Sequence, residues 1–315
     1  MAEISRVLVI GFGVMGRGIA KSFADAGFTS QVLSRRAGQL ADIPKGVSVV
    51  VALPPTPPDL IIESVPEVVA TKRATYAAIE AAYAGKPILT TNTSGLPLPE
   101  LESELAYPER FLGTHYFQPA DTSAAVEVMA GTKTDPAALE AAAGAIRKTG
   151  KYAFVLKKPI TGYLINRLLH AILHESYHLL ATGVAPADEI DHAARLIIGP
   201  RFCISGLLEQ KDIGGLAIHA DAQRSIVPAL DHTGIPNPYV QDLAKRGETG
   251  AGAGLGFYDW RNTDRATASA DANARLKKLL GFLQSLGPRE ARIVPQPRQV
   301  EEVGETGDAR EDRAL

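Results

Sequence analysis

The sequence has one cysteine, little net charge and no long apolar run. Its single cysteine, Cys203, cannot form an internal disulfide or a cysteine-based zinc site, and we expect it to be a small buried residue in a reducing, cytoplasmic setting. The net charge of −2 provides no basic surface for nucleic acid. No uncharged run reaches the roughly 18–20 residues that span a bilayer, so we expect no membrane association. The start of the chain also lacks the Lys/Arg-rich segment of a secretory signal.

The first half of the chain alternates short β-branched runs with helical patterns. Strand-like runs fall at 5–10, 29–33, 47–53, 60–65, 88–91, 111–117, 125–129 and 152–156, with helical patterns at about 69–83 and 135–149. This alternation is typical of a parallel sheet covered by helices. After residue 158 the patterns are helical, at about 161–182, 186–198, 214–229, 237–246 and 276–286, and the chain ends in a charged tail.

A glycine motif follows the first strand-like run. Gly11, Gly13 and Gly16 fit the G-x-G-x-x-G pattern of a dinucleotide-binding turn, with Val14 and Met15 between the last two. The first glycine permits a tight turn, the second lets the backbone approach a pyrophosphate, and the third lets helix pack on strand. The helix that follows offers free N–H groups and a partial positive charge to the phosphates.

The length of 315 residues is enough for two domains. We therefore predict an α/β fold in which an N-terminal Rossmann-type doubly wound sheet at 1–158 precedes a smaller all-helical domain at 159–262. An amphipathic helix and charged tail follow at 263–315.

The end of the second strand determines which nicotinamide cofactor is preferred. An NAD site has Asp or Glu about 20 residues after the glycines, where it binds the ribose 2′-hydroxyl. Ser34 takes that position here, followed by Arg35 and Arg36. A hydroxyl and two guanidiniums can hold the 2′-phosphate of NADP with charge-assisted hydrogen bonds. The sequence thus predicts NADP, with NAD as the alternative if both arginines are only solvated surface residues.

Polar residues follow three further strand-like runs. Glu67 lies after the run at 60–65, and Asn92 and Ser94 lie after the run at 88–91. His115 lies near the end of the run at 111–117, twelve residues before Glu127. Ligands of open α/β sheets bind outside the carboxyl ends of the strands, so these side chains lie where a substrate would be handled. Glu67 is either a ribose or substrate contact or a cap on its own loop, and Asn92 is assigned to the cofactor.

Taken in order, the motifs GxGxMGxGIA, E-x-VPE, NTS, H-x-F-x-P, VEV and G-x-x-x-NR resemble the L-3-hydroxyacyl-CoA dehydrogenase family over about residues 5–260. The resemblance implies hydride transfer between a small hydroxy or oxo acid derivative and a nicotinamide, without a metal, in a homodimer. It implies that His115 exchanges the hydroxyl proton, that Glu127 orients the imidazole, and that Ser94 and Asn166 hydrogen-bond the reacting oxygen.

The sequence departs from the family pattern in two places. Gln118 stands where the family has Asn, which affects positioning near the nicotinamide. Only 24 residues separate Ser34 from Asp59, and five of them are proline, where the family has a helical hairpin that helps to bind coenzyme A. We therefore predict a compact substrate without CoA.

Three other interpretations stay open. The first is that the chain is a dehydrogenase of CoA thioesters. The second is that it belongs to the 3-hydroxyisobutyrate/6-phosphogluconate type, and the third is that it is a non-catalytic nucleotide-binding or crystallin-like protein. The second type uses a lysine where this chain has Asn166 and Arg167. His170, His174 and His178 share one helix face at i, i+4 and i+8, and we interpret this face as an interface or cleft lining, since no third-ligand pattern accompanies it.

Overall fold

The computed structural model describes residues 3–35, 38, 40, 42–290 and 294–298. The chain divides into two compact units, Met1–Ala171 and Ile172–Leu315. Helix α5 (Tyr163–Ala181) begins in the first unit and ends in the second. The division at 1–158, 159–262 and 263–315 stays a prediction.

The first unit is built on one eight-stranded sheet. Its strands are β1 (Arg6–Ile10), β2 (Thr29–Leu33), β3 (Val47–Val50), β4 (Leu60–Glu63), β5 (Ile88–Thr91), β6 (Phe111–Tyr116), β7 (Ala125–Ala130) and β8 (Tyr152–Leu156). They are arranged in the order β3-β2-β1-β4-β5-β6-β7-β8, so the chain reverses its direction of travel across the sheet at β1. This order confirms the predicted Rossmann-type doubly wound sheet, and it places the ligand crevice at the carboxyl ends of β1 and β4.

One pair of strands departs from the parallel arrangement that the sequence predicts. β1 to β6 are parallel, but β7 pairs with β6 in the antiparallel sense. Only residues 117–124 connect these two strands, whereas a parallel crossover needs a dozen or more residues. The reversal places residues of β7 directly across from the residues that end β6.

The central strands of the sheet are buried on both faces. Val7 and Val9 of β1 pack in a cluster that includes Phe23, and Leu8 packs in a second cluster that includes Tyr76. Because successive strand residues point to opposite faces, these runs are apolar without alternation. The covering helices of this unit are α1 (Val14–Asp25), α2 (Val69–Tyr83), the short α3 (Leu98–Glu102) and α4 (Pro136–Lys148).

The second unit is helical, as predicted. It contains α6 (Ala187–Ala193), α7 (Gly199–Ser205), α8 (Glu209–Gly214), α9 (Leu216–Ile226), α10 (Pro238–Lys245) and α11 (Arg265–Ser285), with a π-helical segment at Ala194–Ile198 after α6. Leu243 is the one buried apolar residue among the described part of this unit. Cys203 is exposed on α7, so the expectation of a buried cysteine is wrong for the single chain. Within the described residues, no helix is long and apolar enough to cross a membrane.

Candidate active site

The glycine turn joins β1 to α1 and leaves backbone exposed for a phosphate. Gly11 has a φ of +108°, and a Cβ there would lie 2.5 Å from the carbonyl oxygen of Ser64. A Cβ on Gly16 would overlap the carbonyl oxygen of Gly11, whereas one on Gly13 would meet open space. Among the described residues no side chain caps α1, so its first N–H groups stay available. The turn fits a dinucleotide pyrophosphate.

Val14 begins α1 beside this turn. Ile19 and Phe23 of the same helix are fully buried. Val14, in the first turn of the helix, is 70% exposed. Its place in the glycine motif makes it a candidate cofactor contact, as does that of the half-buried Met15.

The end of β2 presents the residues expected to select the cofactor. Ser34 follows β2 directly, and its backbone N–H donates to the carbonyl of Val50 at 3.0 Å. Arg35 is exposed next to it. Arg36 lies outside the described residues. β2 pairs with β1, so Ser34 and Arg35 lie at the same edge of the sheet as the glycine turn.

His115 and Glu127 form a buried hydrogen-bonded pair. They are direct cross-strand partners on β6 and β7, and His115 Nδ1 lies 2.7 Å from Glu127 Oε2. Both side chains are buried. His115 Nε2 makes no hydrogen bond within the part of the chain that the structure describes. A carboxylate on one ring nitrogen fixes the imidazole tautomer and orientation and leaves the other nitrogen for proton exchange.

The second oxygen of Glu127 binds the start of helix α5. Glu127 Oε1 accepts hydrogen bonds from the backbone N–H groups of Leu164 at 2.8 Å and Ile165 at 2.9 Å. These donors stabilise the negative charge of a carboxylate that has no exposed surface. One turn further on, Asn166 Nδ2 donates to the carbonyl oxygen of Ser94 at 3.3 Å. The structure thus places four predicted catalytic residues around the start of α5.

A buried ion pair that was not predicted from the sequence lies at the end of β4. Lys72 and Glu63 are both fully buried, with Lys72 Nζ 2.8 Å from Glu63 Oε1. Glu63 Oε2 also accepts hydrogen bonds from Tyr76 Oη at 2.9 Å and Thr91 Oγ1 at 2.8 Å. The signal available was the Glu-x-x-x-Glu spacing that precedes a lysine in the first turn of a helix. The pair ties α2 to the ends of β4 and β5.

Glu67 lies between this ion pair and the Ser94 loop. Its carboxylate is 3.2 Å from Lys72 Nζ and accepts hydrogen bonds from Thr93 Oγ1 and, at 3.0 Å, the backbone N–H of Ser94. Partial burial raises the pKa of Glu67, but the Thr93 hydrogen bond and the Lys72 charge outweigh it and hold the pKa below its ordinary value. Glu67 is therefore ionised and holds the Ser94 loop. Its contact with a cofactor stays a prediction.

Asn92 links the ends of three strands. Its Nδ2 donates to Ser64 Oγ at 3.2 Å after β4, and its Oδ1 accepts from the backbone N–H of Tyr116 at 3.1 Å in β6. Gln118, which replaces the family asparagine, is exposed just beyond β6.

The histidine face of α5 has a different setting. His174 Nε2 and His178 Nδ1 lie 3.3 Å and 3.6 Å from Asp231 Oδ2, while His170 is exposed. Hydrogen bonds from Thr233, together with the charges of His174 and His178, hold the pKa of Asp231 below its ordinary value. Across the residues that the structure describes, no group of three or more His, Cys, Asp and Glu side chains is arranged to hold a metal ion.

Comparison with known proteins matches both halves of the chain to one family. The NAD-binding domain of 3-hydroxyacyl-CoA dehydrogenase matches residues 6–52 and 56–159, and the C-terminal domain of the same family matches residues 162–260. A 5-formyl-3-hydroxy-2-methylpyridine 4-carboxylate 5-dehydrogenase from Mesorhizobium japonicum is 27% identical over 311 residues, which covers 91% of this chain and 100% of that protein.

Two further similarities support this result. A probable 3-hydroxybutyryl-CoA dehydrogenase from Bacillus subtilis is 31% identical over 291 residues, covering 82% of this chain and 98% of that protein. A crystal structure of a 5-formyl-3-hydroxy-2-methylpyridine 4-carboxylic acid 5-dehydrogenase, described as an NAD+-dependent dismutase, superposes with a TM-score of 0.79 at 27% identity and covers 91% of this chain and all of that one. The chain therefore belongs to the 3-hydroxyacyl-CoA dehydrogenase family and is an NAD(P)-dependent oxidoreductase.

Proposed function

We propose that this oxidoreductase interconverts a 3-hydroxy and a 3-oxo acid derivative, that it prefers NADP(H), and that its substrate is a compact acid without CoA. The observation that carries the reaction is the buried His115–Glu127 pair, which leaves one imidazole nitrogen available at the end of β6. Asn166 and Ser94, which are hydrogen-bonded to each other, supply polar groups beside it.

The proposed mechanism assigns one task to each of these residues. A nicotinamide dinucleotide, held at the glycine turn, would supply the hydride-transfer chemistry when bound. His115 Nε2 takes the hydroxyl proton during oxidation and returns it to the oxygen during carbonyl reduction. Glu127 keeps Nδ1 as the protonated nitrogen and stabilises the imidazolium that forms. Ser94 Oγ and Asn166 hydrogen-bond the reacting oxygen or the neighbouring carbonyl.

Two observations support a compact substrate. β3 follows β2 after a short connection, and the described residues between Leu33 and Leu60 contain no α-helix that could take the place of the family's CoA-binding hairpin. The Mesorhizobium relative, which matches along its whole length, is named for a pyridine carboxylate. The second candidate is a CoA thioester, because the Bacillus relative is named for 3-hydroxybutyryl-CoA.

Turnover of NADPH with a panel of 3-oxo acids, each free and as its CoA thioester, tests the substrate class. We expect compact free acids, including aromatic and cyclic ones, to be the better substrates. A kcat/KM above about 10⁵ M⁻¹s⁻¹ for acetoacetyl-CoA, which is ordinary enzyme efficiency, would overturn the proposal for a CoA-free substrate.

Replacement of His115 tests the proton shuttle. We expect H115A to lower kcat by about 100-fold or more on the best substrate and to leave NADPH affinity unchanged, because the phosphates are bound at the glycine turn. H192A, in the exposed part of α6, is the matched histidine control and should retain parent turnover. Near-parent turnover in H115A would exclude this mechanism.

Cofactor preference is tested by direct binding. Charge-assisted contacts from Arg35 and Arg36 should give NADP(H) at least about a tenfold lower Kd than NAD(H). The double variant R35A/R36A should remove this difference and leave the Kd of NAD(H) nearly unchanged. A protein of similar structure is described as NAD+-dependent, so the alternative result is a lower Kd for NAD(H) than for NADP(H). Equal Kd values for both cofactors in the parent would refute the NADP assignment.

A homodimer is part of the proposal. It is implied by the family resemblance, and it is supported by the apolar side chains that the helical unit leaves exposed in the single chain. Leu208, Ile213 and Ile218 are 82%, 71% and 74% exposed on or beside α8 and α9. Such residues need a covering surface that a second copy would provide.

A further inference from the structure

Tyr163 is the first residue of α5 and has an uncommon backbone conformation. Its φ is +56°, in the left-handed region that side chains other than glycine seldom occupy, and it follows Gly162, whose φ is +84°. Its side chain is nevertheless almost completely buried. A residue held in this conformation inside a packed region is one that the surrounding structure strongly constrains, and such residues cluster at functional sites.

The backbone of Tyr163 determines where the next two amides point. Its own N–H donates to the carbonyl of Ile160 at 3.2 Å, which closes the turn before the helix. Directly after this turn, the N–H groups of Leu164 and Ile165 both reach Glu127 Oε1. The left-handed residue thus connects the turn to the two donors that fix the carboxylate.

The ring of Tyr163 also contacts the imidazole itself. The ring centroids of Tyr163 and His115 are 5.1 Å apart with an interplanar angle of 37°, and Phe117 contacts the same imidazole at 4.6 Å. These two aromatic rings limit the rotation of His115, whose one hydrogen-bonded nitrogen points to Glu127. The mechanism proposed above does not use Tyr163. Its ring nevertheless contacts His115, and the two N–H groups that follow it bind Glu127.

The hydroxyl of Tyr163 makes no contribution to the proposed positioning role. It is buried without a hydrogen-bond partner among the described residues. Burial, followed by the charges of Glu127, Glu67 and Glu63, raises its pKa far above the ordinary value, so it stays neutral. It packs against Gly113, two residues before His115 on β6, where a Cβ would overlap the tyrosine oxygen.

We propose that Tyr163 is a positioning residue of the proton shuttle. Its backbone aims two amides at Glu127, and its ring holds the His115 imidazole in the orientation that meets this carboxylate. The inference rests on the proposed His115–Glu127 function. It assigns the effect to the ring and the left-handed turn and none to the hydroxyl.

Two variants separate the contribution of the ring from that of the hydroxyl. Y163F keeps the ring and should retain parent kcat. Y163L removes the ring and should lower kcat at least about tenfold with little change in KM or NADPH affinity, since misplaced catalytic groups lose rate before binding.

A second pair of variants tests the same geometry without opening a cavity. G113A should push the Tyr163 ring aside and lower kcat, and the double variant G113A/Y163F, which lacks the overlapping oxygen, should recover most of the loss. This pair decides the question if Y163L does not fold. A merely structural role would lower the thermal unfolding temperature in these variants and leave the kcat of the folded protein at the parent value.

The outcomes distinguish the two proposals. If the parent is inactive on every oxo acid, or H115A retains turnover, the proposed function fails. If H115A is inactive while Y163L or G113A keeps the parent kcat, the proposed function stands and the role assigned to Tyr163 is wrong. Loss of activity in Y163F would also contradict it, because the hydroxyl would then matter.

Discussion

The two units of this chain bury their apolar residues to very different extents. In the first unit, strands and helices enclose side chains such as Phe23, Leu60 and Phe111 completely. In the second, large aliphatic residues lie exposed along successive helices, and Leu243 is the buried exception among its described residues. The first unit therefore contains its own core, whereas the described part of the second leaves most of its large aliphatic side chains exposed in the single chain. The predicted proton-shuttle residues belong to the self-sufficient unit.

The same substitution made in each unit should show the difference most strongly. Phe23 is fully buried and packs edge-to-face on Phe28 at 5.2 Å, while Phe282 of α11 is 58% exposed. F23A should lower the free energy of unfolding by about 3–5 kcal/mol, and F282A by less than about 0.5 kcal/mol, because only the first leaves a cavity. Urea unfolding followed by circular dichroism measures both. A loss in F282A that approaches that of F23A would show that α11 is covered in solution.

Ion pairs offer a second matched comparison. Lys72 and Glu63 are buried together, whereas Arg224 and Asp221 of α9 pair at 3.0 Å in solvent. K72M leaves a buried carboxylate without its cation and should cost about 3 kcal/mol of stability. R224M should cost less than about 0.5 kcal/mol. Thermal unfolding of both variants tests this, and equal shifts would mean that solvent reaches the Glu63 site.

Surface charge introduced into each unit should separate a covered face from a free one. Ile213 in the helical unit and Val51 in the sheet unit are both 71% exposed in the single chain. I213E should raise the dissociation constant of the proposed dimer by at least about 100-fold. This factor corresponds to a cost of about 2.7 kcal/mol for burying an unpaired charge at the interface. V51E should not change the molar mass. Analytical ultracentrifugation over a concentration series gives both results. A monomeric parent would remove the dimer from the proposal.

The smallest expected effect concerns two carboxylates whose pKa lies at about 2. Burial raises the pKa of Asp59, but hydrogen bonds from the Arg6 guanidinium and from the backbone N–H groups of Ser5 and Arg6 lower it by more. The net effect is a fall in this pKa from 3.8 to about 2. Because the folded pKa is depressed, the stabilisation is present above pH 4 and is lost as the pH falls towards 2. D59N should be about 1 kcal/mol less stable than the parent at pH 7, after screening by solvent, and equal to it near pH 2.

Asp259 of the helical unit is the control for Asp59. Its pKa is also lowered to about 2, through hydrogen bonds from Arg261 two residues away. Contacts this local also form in the unfolded chain, so D259N should show little pH-dependent difference from the parent. A pH-dependent loss in D259N as large as that in D59N would contradict this explanation.

Much of the first unit was predictable from sequence because its signals are local. Strand-like runs, the glycine motif and the spacing of His115 and Glu127 each lie within a short stretch of chain. Lys72 was missed, since a lysine on an amphipathic helix indicates solvent and its burial depends on Glu63 from another element. The left-handed Tyr163 was missed because it depends on packing against β6 and not on residue type.

The helical unit was predicted less well for a related reason. α7 and α8 were not anticipated, since Gly199 and Pro200 at the start of α7 indicate a loop. Cys203 was expected to be buried because cysteine usually is, but a face that the single chain leaves exposed gives that preference nothing to pack against.

The double attachment of Glu127 restricts how this chain can be recombined with its relatives. The carboxylate serves the imidazole through one oxygen and the amides of Leu164 and Ile165 through the other. A chimera that grafts a foreign helical unit onto this sheet must therefore cross over after Asn166, in the body of α5. A junction before Leu164 would replace these two N–H donors with donors positioned for a different carboxylate. The chimera would fold, but the imidazole of His115 would be misaligned.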